Sequence, residues 1–126
     1  MYRCLVLAGA LCASALPAAA QMQRAFPQDA LRGDIVIGIP PVISVNGRSA
    51  QLAPGARIRD LNNMLALSAS ISGARFTAHY TIDTSGQVRD VWILRPDEIA
   101  KQPWPTTPEQ AQTWAFDPTA QTWTKR

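Results

Sequence analysis

His79 is the one histidine in this chain of 126 residues, and its two cysteines are Cys4 and Cys12. Nucleophilic catalysis needs an activated nucleophile, a base and a group that orients the base, and a zinc site needs several imidazole or thiolate ligands. One imidazole provides neither, and His79 lies on the polar row of a strand between Thr77 and Thr81, where it is expected to face solvent. Among the acids, Asp97 and Glu98 are adjacent, which suits the first turn of a helix better than a catalytic pair. Asp90 falls on a mostly apolar strand face opposite Tyr80, where the tyrosine hydroxyl or an arginine would satisfy it. Asp90, Tyr80 and His79 are therefore what a small-ligand binder or a hydrolase-like enzyme would use. There is no glycine-rich phosphate loop, GxSxG or HExxH, so no catalytic residue, metal set or cofactor is assigned.

Binding chemistry is better represented. Arg48 follows the turn Asn46-Gly47, and Arg57 and Arg59 follow Ala53-Pro54-Gly55. Arg57 and Arg59 share a side if ARIR is extended, which makes a small anion-binding edge; the same charges would also guard a strand edge against aggregation. Trp104, Trp114 and Trp123 stand in a proline-rich stretch. Exposed there, they would dock on a partner or on sugars; folded back, they would plug the barrel or sandwich.

These residues need a frame. DIVIGI from Asp34 is a β-branched strand ended by Pro40-Pro41, and VISV turns through Asn46-Gly47 into RSAQL, the strongest short hairpin signal in the chain. Ala53-Pro54-Gly55 reads as a second turn before ARIR. Residues 60–72 carry apolar positions that fit a helix face, but Leu65, Leu67, Ala69 and Ile71 also alternate, which favours an irregular strand. RFTAHYTID and QVRDVWIL flank Thr84-Ser85-Gly86 as a hairpin. A three-residue loop pairs Tyr80 with Asp90, Ala78 with Trp92 and Phe76 with Leu94. That register puts Phe76, Ala78, Tyr80, Ile82, Val88, Trp92 and Leu94 in the core, while Val91 and Ile93 cover the other side of the second strand. Pro96-Asp97-Glu98 starts a short helix through Ala100. The prolines at 103, 105, 108 and 118 then prevent any long regular element, and AQTW, present at 111–114 and 120–123, flanks a small hairpin turning at Asp117-Pro118.

The expected architecture is thus mainly β: a small antiparallel barrel or sandwich over residues 34–100, preceded by a polar lead at 21–33 and followed by a Pro/Trp-rich tail at 101–126. The first twenty residues form a separate unit. Arg3, the apolar run from Cys4 to Leu16 and Ala18-Ala19-Ala20 have the layout of a cleavable export signal. As a helix the run spans about 20 Å, short of the bilayer's roughly 30 Å apolar thickness, so no stable membrane anchor is expected after cleavage. The mature chain is expected to begin at Gln21, without either cysteine, in the periplasm or outside the cell. Of the twelve basic residues Arg3 leaves with the signal, and the rest are spread without a run against nine acids. That distribution argues against nucleic acid or an anionic membrane as partner.

The segments VNGRSAQLAPGARIRDLNN and FTAHYTIDTSGQVRDVWIL resemble small uncharacterised exported proteins of proteobacteria, a resemblance that implies location and size. The hairpin at residues 76–94 is also similar to a stretch of TonB C-terminal domains, which implies a periplasmic protein-contact role. The function expected from these readings is a non-catalytic periplasmic interaction or accessory module. It would offer its arginine edge or tryptophan tail to an envelope protein or a cell-wall component.

Overall fold

The β-branched run after Gly33 and the hairpin signal at Asn46-Gly47 mark where the first three strands meet. The computed structural model describes residues 23–125; the export signal at 1–20 and the start at Gln21 lie outside the described residues. β1 covers Leu31–Ile37, β2 Val42–Val45, β3 Arg48–Arg59, β4 Leu65–Ala66, β5 Arg75–Ile82 and β6 Val88–Ile93. The sheet order is β2-β1-β5-β6-β3-β4, and a further β2–β3 pairing closes five of these strands into a barrel, with β4 on its margin. The chain is mainly β, and of the two arrangements expected it takes the barrel. One pair, β3 with β6, runs parallel. A closed ring of five strands cannot alternate direction all the way round, so at least one parallel seam is unavoidable.

The Asn46-Gly47 turn has φ of 53° and 83°, the geometry of a tight hairpin whose twist matches its strands. Ala53-Pro54-Gly55, expected to turn the chain, lies within β3 instead. There the β3–β6 register shifts between Leu52 and Arg57, and Gly55 adopts a φ of 79°. Proline and glycine mark an irregularity in one long strand, a place where both are tolerated. Of the segment 60–72 only Leu65–Ala66 is strand, followed by a 3-10 turn at Ser68–Ile71. Leu65 and Leu67 are 68% and 77% exposed, so their alternation does not mark a core face.

At the tip of the β5–β6 hairpin the Asp83 carboxylate accepts hydrogen bonds from the Ser85 and Gln87 amides, both at 2.9 Å, and from Ser85 Oγ at 2.8 Å. These bonds hold its pKa below the usual carboxylate range. The register begins as expected, with Ile82 opposite Val88, and then slips: Thr81 faces Asp90, Tyr80 faces Val91, His79 faces Trp92 and Ala78 faces Ile93. Arg89 is the extra residue of a β-bulge, and Thr81 Oγ1 accepts from the Asp90 amide at 3.3 Å beside it. The pairings expected for Tyr80 and Ala78 are therefore each displaced by one residue, and Phe76 lies beyond the paired stretch of this hairpin. Val91, not Trp92, points into the barrel, where it is fully buried with Ile35, Ile37 and Ile43.

Trp92 instead joins a second apolar cluster on the outer side of β5 and β6, built from Phe26, Ala30, Leu94, Trp104 and Trp123. α1, Pro96–Ile99, forms where the Pro-Asp-Glu start was expected; α2, Pro108–Thr113, was not expected. Pro108 breaks nothing because it occupies the first turn of α2, and the Thr107 side chain accepts from the Gln110 amide as cap. β7, Ala115–Asp117, and β8, Thr122–Thr124, make the small hairpin at the end of the chain. Lead and tail together wrap the outside of the barrel, so the tail covers a sheet face and does not plug the interior.

Candidate functional site

Alternation along β5 decides the fate of the three residues that a catalytic site would have used. Tyr80 points into the barrel and His79 into the outer cluster, and both are buried. His79 has no solvent exposure: its ring stacks on Trp104 at 4.1 Å and meets the edge of Phe26 at 4.4 Å. The expectation that it faces solvent is corrected, because the lead and tail cover the row it stands on. Neither ring nitrogen has a hydrogen-bond partner among the described residues. Burial, reinforced by the charges of Arg32 and Arg24, lowers its pKa to about 2, so the imidazole is neutral. Asp90 stands at a third place, facing Thr81 across the strands and close to Arg59 and Arg89. Tyr80, His79 and Asp90 line three different pockets. Among the described residues no three His, Cys, Asp or Glu come together to hold a metal ion.

The tryptophans are mostly withdrawn from partners. Trp104 and Trp123 are 5% and 3% exposed, and Trp114 is half-buried with Lys125 Nζ 5.3 Å from its ring centre. Buried hydrogen bonds lock this layer. Trp104 Nε1 donates to Ala30 O at 2.9 Å, and the Phe26 amide donates to Gln121 Oε1 at 2.9 Å. Arg24, buried, forms a two-pronged ion pair with the buried Glu98, and it also donates to the carbonyls of Asp60 at 3.0 Å and Ile93 at 2.8 Å. Arg32 donates to the carbonyls of Glu98 and Lys101 at 2.9 Å and of Ile99 at 3.1 Å, closing the end of α1.

The arginines remain available. Arg57 and Arg59 alternate with the inward-pointing Ile58, so both open onto the same outer cleft, as their spacing predicts. Across the parallel seam they face Asp90 and Trp92. The cleft is open, holds about 890 Å³, and is bordered further by Asn62, Asn63 and Arg95. Asp60 shapes its rim: the carboxylate accepts from the amides of Asn62 at 2.9 Å and Met64 at 3.0 Å, turning the chain so that Asn63 takes a φ of 64°. Arg59 lies 5.7 Å from the Trp92 ring centre and 3.8 Å from Asp90 Oδ1, while Arg89 Nε lies 3.5 Å from the other oxygen, Asp90 Oδ2. Arg57 is exposed and makes no hydrogen bond or ion pair among the described residues. The Asp90 carboxylate thus stands against three guanidinium groups, Arg57, Arg59 and Arg89, leaving net positive charge where planar anions can be held by paired N–H donors.

Arg48 is separate from this pair. It stands at the other end of β3 and lines the opposite mouth of the barrel. The bulge at Arg89 placed Trp92 in the cleft, and the Asp60 turn placed Asn62 and Asn63 there. An aspartate two residues before an asparagine was a local signal for that turn, whereas nothing in β6 itself marked the bulge. Family models, curated proteins and solved structures contain no match to the chain.

Proposed function

We propose that the protein is a non-catalytic interaction module of the bacterial envelope, periplasmic or secreted, that holds a carboxylate-bearing envelope protein or cell-wall component in the Arg57/Arg59 cleft. The observation that carries this reading is the exposed, unpaired Arg57 beside Arg59, with Asp90 as the facing acid. The export layout of residues 1–20 supplies the location. Withdrawal of Trp104 and Trp123 into the outer layer turns the proposal from the tryptophans to the arginines. Nuclear magnetic resonance tests it with two probes, a glutamate-rich peptide and a muramyl peptide. Shifts concentrated at Arg57, Arg59, Asn62 and the Trp92 indole, abolished in Arg57→Glu/Arg59→Glu, support the reading, and the stronger probe identifies the partner class. Shifts elsewhere, or shifts that survive the double charge reversal, contradict it.

A further inference from the structure

The barrel mouth opposite the β4 margin holds a pocket that the arginine cleft does not share. All five barrel strands end there: Leu31 opens β1, Val45 closes β2, Ala50 lies near the start of β3, Tyr80 and Ile82 close β5, and Val88 opens β6. Leu31, Tyr80 and Val88 belong to the barrel core, and Val45 and Ala50 pack against it. The floor is therefore apolar. The opening holds about 480 Å³, within the roughly 300–1,000 Å³ of small-molecule sites, which favour barrel mouths lined by apolar groups with a few placed polar ones.

Three features distinguish this mouth from a packing gap. Tyr80 is 5% exposed, yet its hydroxyl makes no hydrogen bond among the described residues. The ring is buried while the hydroxyl oxygen keeps contact with solvent at the mouth, and burial of the side chain raises its pKa, keeping it a neutral donor. Beside it, a Cβ added at Gly33 would come within 2.9 Å of Asn46 Nδ2 and 3.1 Å of the Tyr80 ring, so the bare glycine lets these two lining side chains pack against β1. At the rim Arg48 is exposed and has no acidic partner among the described residues. Glu109, at the start of α2, is the rim's acid. The groove continues past Pro108 toward Ala111 as a further opening of about 530 Å³, lined by Leu31, Ile82 and Ala111 and also by Gln28, Asp29 and Gln112.

We infer that the mouth binds a small amphipathic monocarboxylate, its carboxylate held by Arg48 and the Tyr80 hydroxyl and its hydrocarbon chain lying on Leu31, Ile82 and Val88 toward Ala111. Arg48 supplies the charge and Tyr80 the direction. Glu109 repels a second anionic group, which selects one carboxylate over two.

Methyl-labelled protein titrated with octanoate, octanol and octanedioate provides the test. Octanoate is expected to shift the Leu31, Ile82 and Val88 methyls saturably, with octanol at least about tenfold weaker, the size of one charge-assisted hydrogen bond, and octanedioate weaker through repulsion of its second carboxylate by Glu109 and Asp29. Arg48→Gln lowers octanoate affinity by about tenfold or more, and Tyr80→Phe by a few fold, on the same scale of hydrogen-bond strengths. The Leu31, Ile82 and Val88 methyls report on the mouth alone, which separates this site from the carboxylate cleft on the outer face. Equal binding of octanol, an unaltered affinity in Arg48→Gln, or the absence of saturable shifts in the Leu31, Ile82 and Val88 methyls would each overturn the inference. Because Arg48 is exposed, its variant remains informative if Tyr80→Phe folds poorly.

Discussion

The barrel interior and the layer packed on its outside are built by opposite means. Inside, aliphatic residues such as Ile35, Ile37, Ile43 and Val91 come from neighbouring strands, each strand contributing alternate positions. Outside, Phe26 and Ala30 come from the lead, Trp104 and Trp123 from the tail, and Leu94 follows β6. Their attachment relies on individual polar anchors, Arg24 on Glu98, Trp104 on Ala30 and Gln121 on Phe26. A chain of this kind uses its tryptophans to cover the outer face of β5 and β6. The arginines at the end of β3 are left outside that cover, where the proposed function places recognition.

The largest expected effect tests whether these regions are separate. Trp104→Ala removes a buried ring that touches His79, Phe26, Phe116 and Trp123, a change that costs about 3–5 kcal/mol. Hydrogen exchange should show protection lost first in Phe26–Ala30 and in β7 and β8, with β1 and β5 still slow. Equal loss in the barrel strands would mean that interior and cover unfold as one unit.

A second, intermediate effect depends on pH. His79 has a folded pKa of about 2 against 6.5 for the free side chain. Below pH 6.5 the unfolded chain therefore takes up a proton that the folded chain refuses, and stability falls with acidification until the folded pKa is reached. The slope approaches about 1.4 kcal/mol per pH unit, giving about 2 kcal/mol lost from this group by about pH 5. Urea melts of His79→Leu should lack that component. Near neutrality this variant should match or exceed the wild type, since two unpartnered ring nitrogens are removed. An unchanged acid slope in His79→Leu would show that the outer layer does not exclude the proton.

The smallest stability effect is expected at the cleft. Arg57→Ala removes an exposed, unpaired side chain, and its unfolding free energy should change by less than about 0.5 kcal/mol. A larger loss would place Arg57 in the structural framework and take it out of recognition.

The same contrast explains what was legible in the chain. β1, β2, β5 and β6 announce themselves because a strand with one buried face writes a two-residue period, and Asn46-Gly47 and Asp83 to Gly86 mark their turns. Arg57 and Arg59 follow from the same period in ARIR. The outer layer has no such period. His79 between two threonines looks solvated until Phe26 and Trp104, distant along the chain, are placed on either side of it. Register failed at one residue: the bulge at Arg89 exchanges Val91 and Trp92 between the two sides of β6, and a period of two cannot survive one insertion. α2 was missed by counting Pro108 as a breaker, although Thr-Pro-Glu is also a helix start.

The account rests most directly on the cleft being the recognition surface, and calorimetric titration of a glutamate-rich peptide into wild type, Arg57→Ala and Arg57→Glu/Arg59→Glu measures that. Wild-type affinity should fall as salt rises, with Arg57→Ala weaker by about fivefold or more for the loss of one charged contact while melting like the wild type, and the double reversal showing no binding at a temperature where it remains folded. Equal affinity across the three, or salt-independent binding, would contradict it.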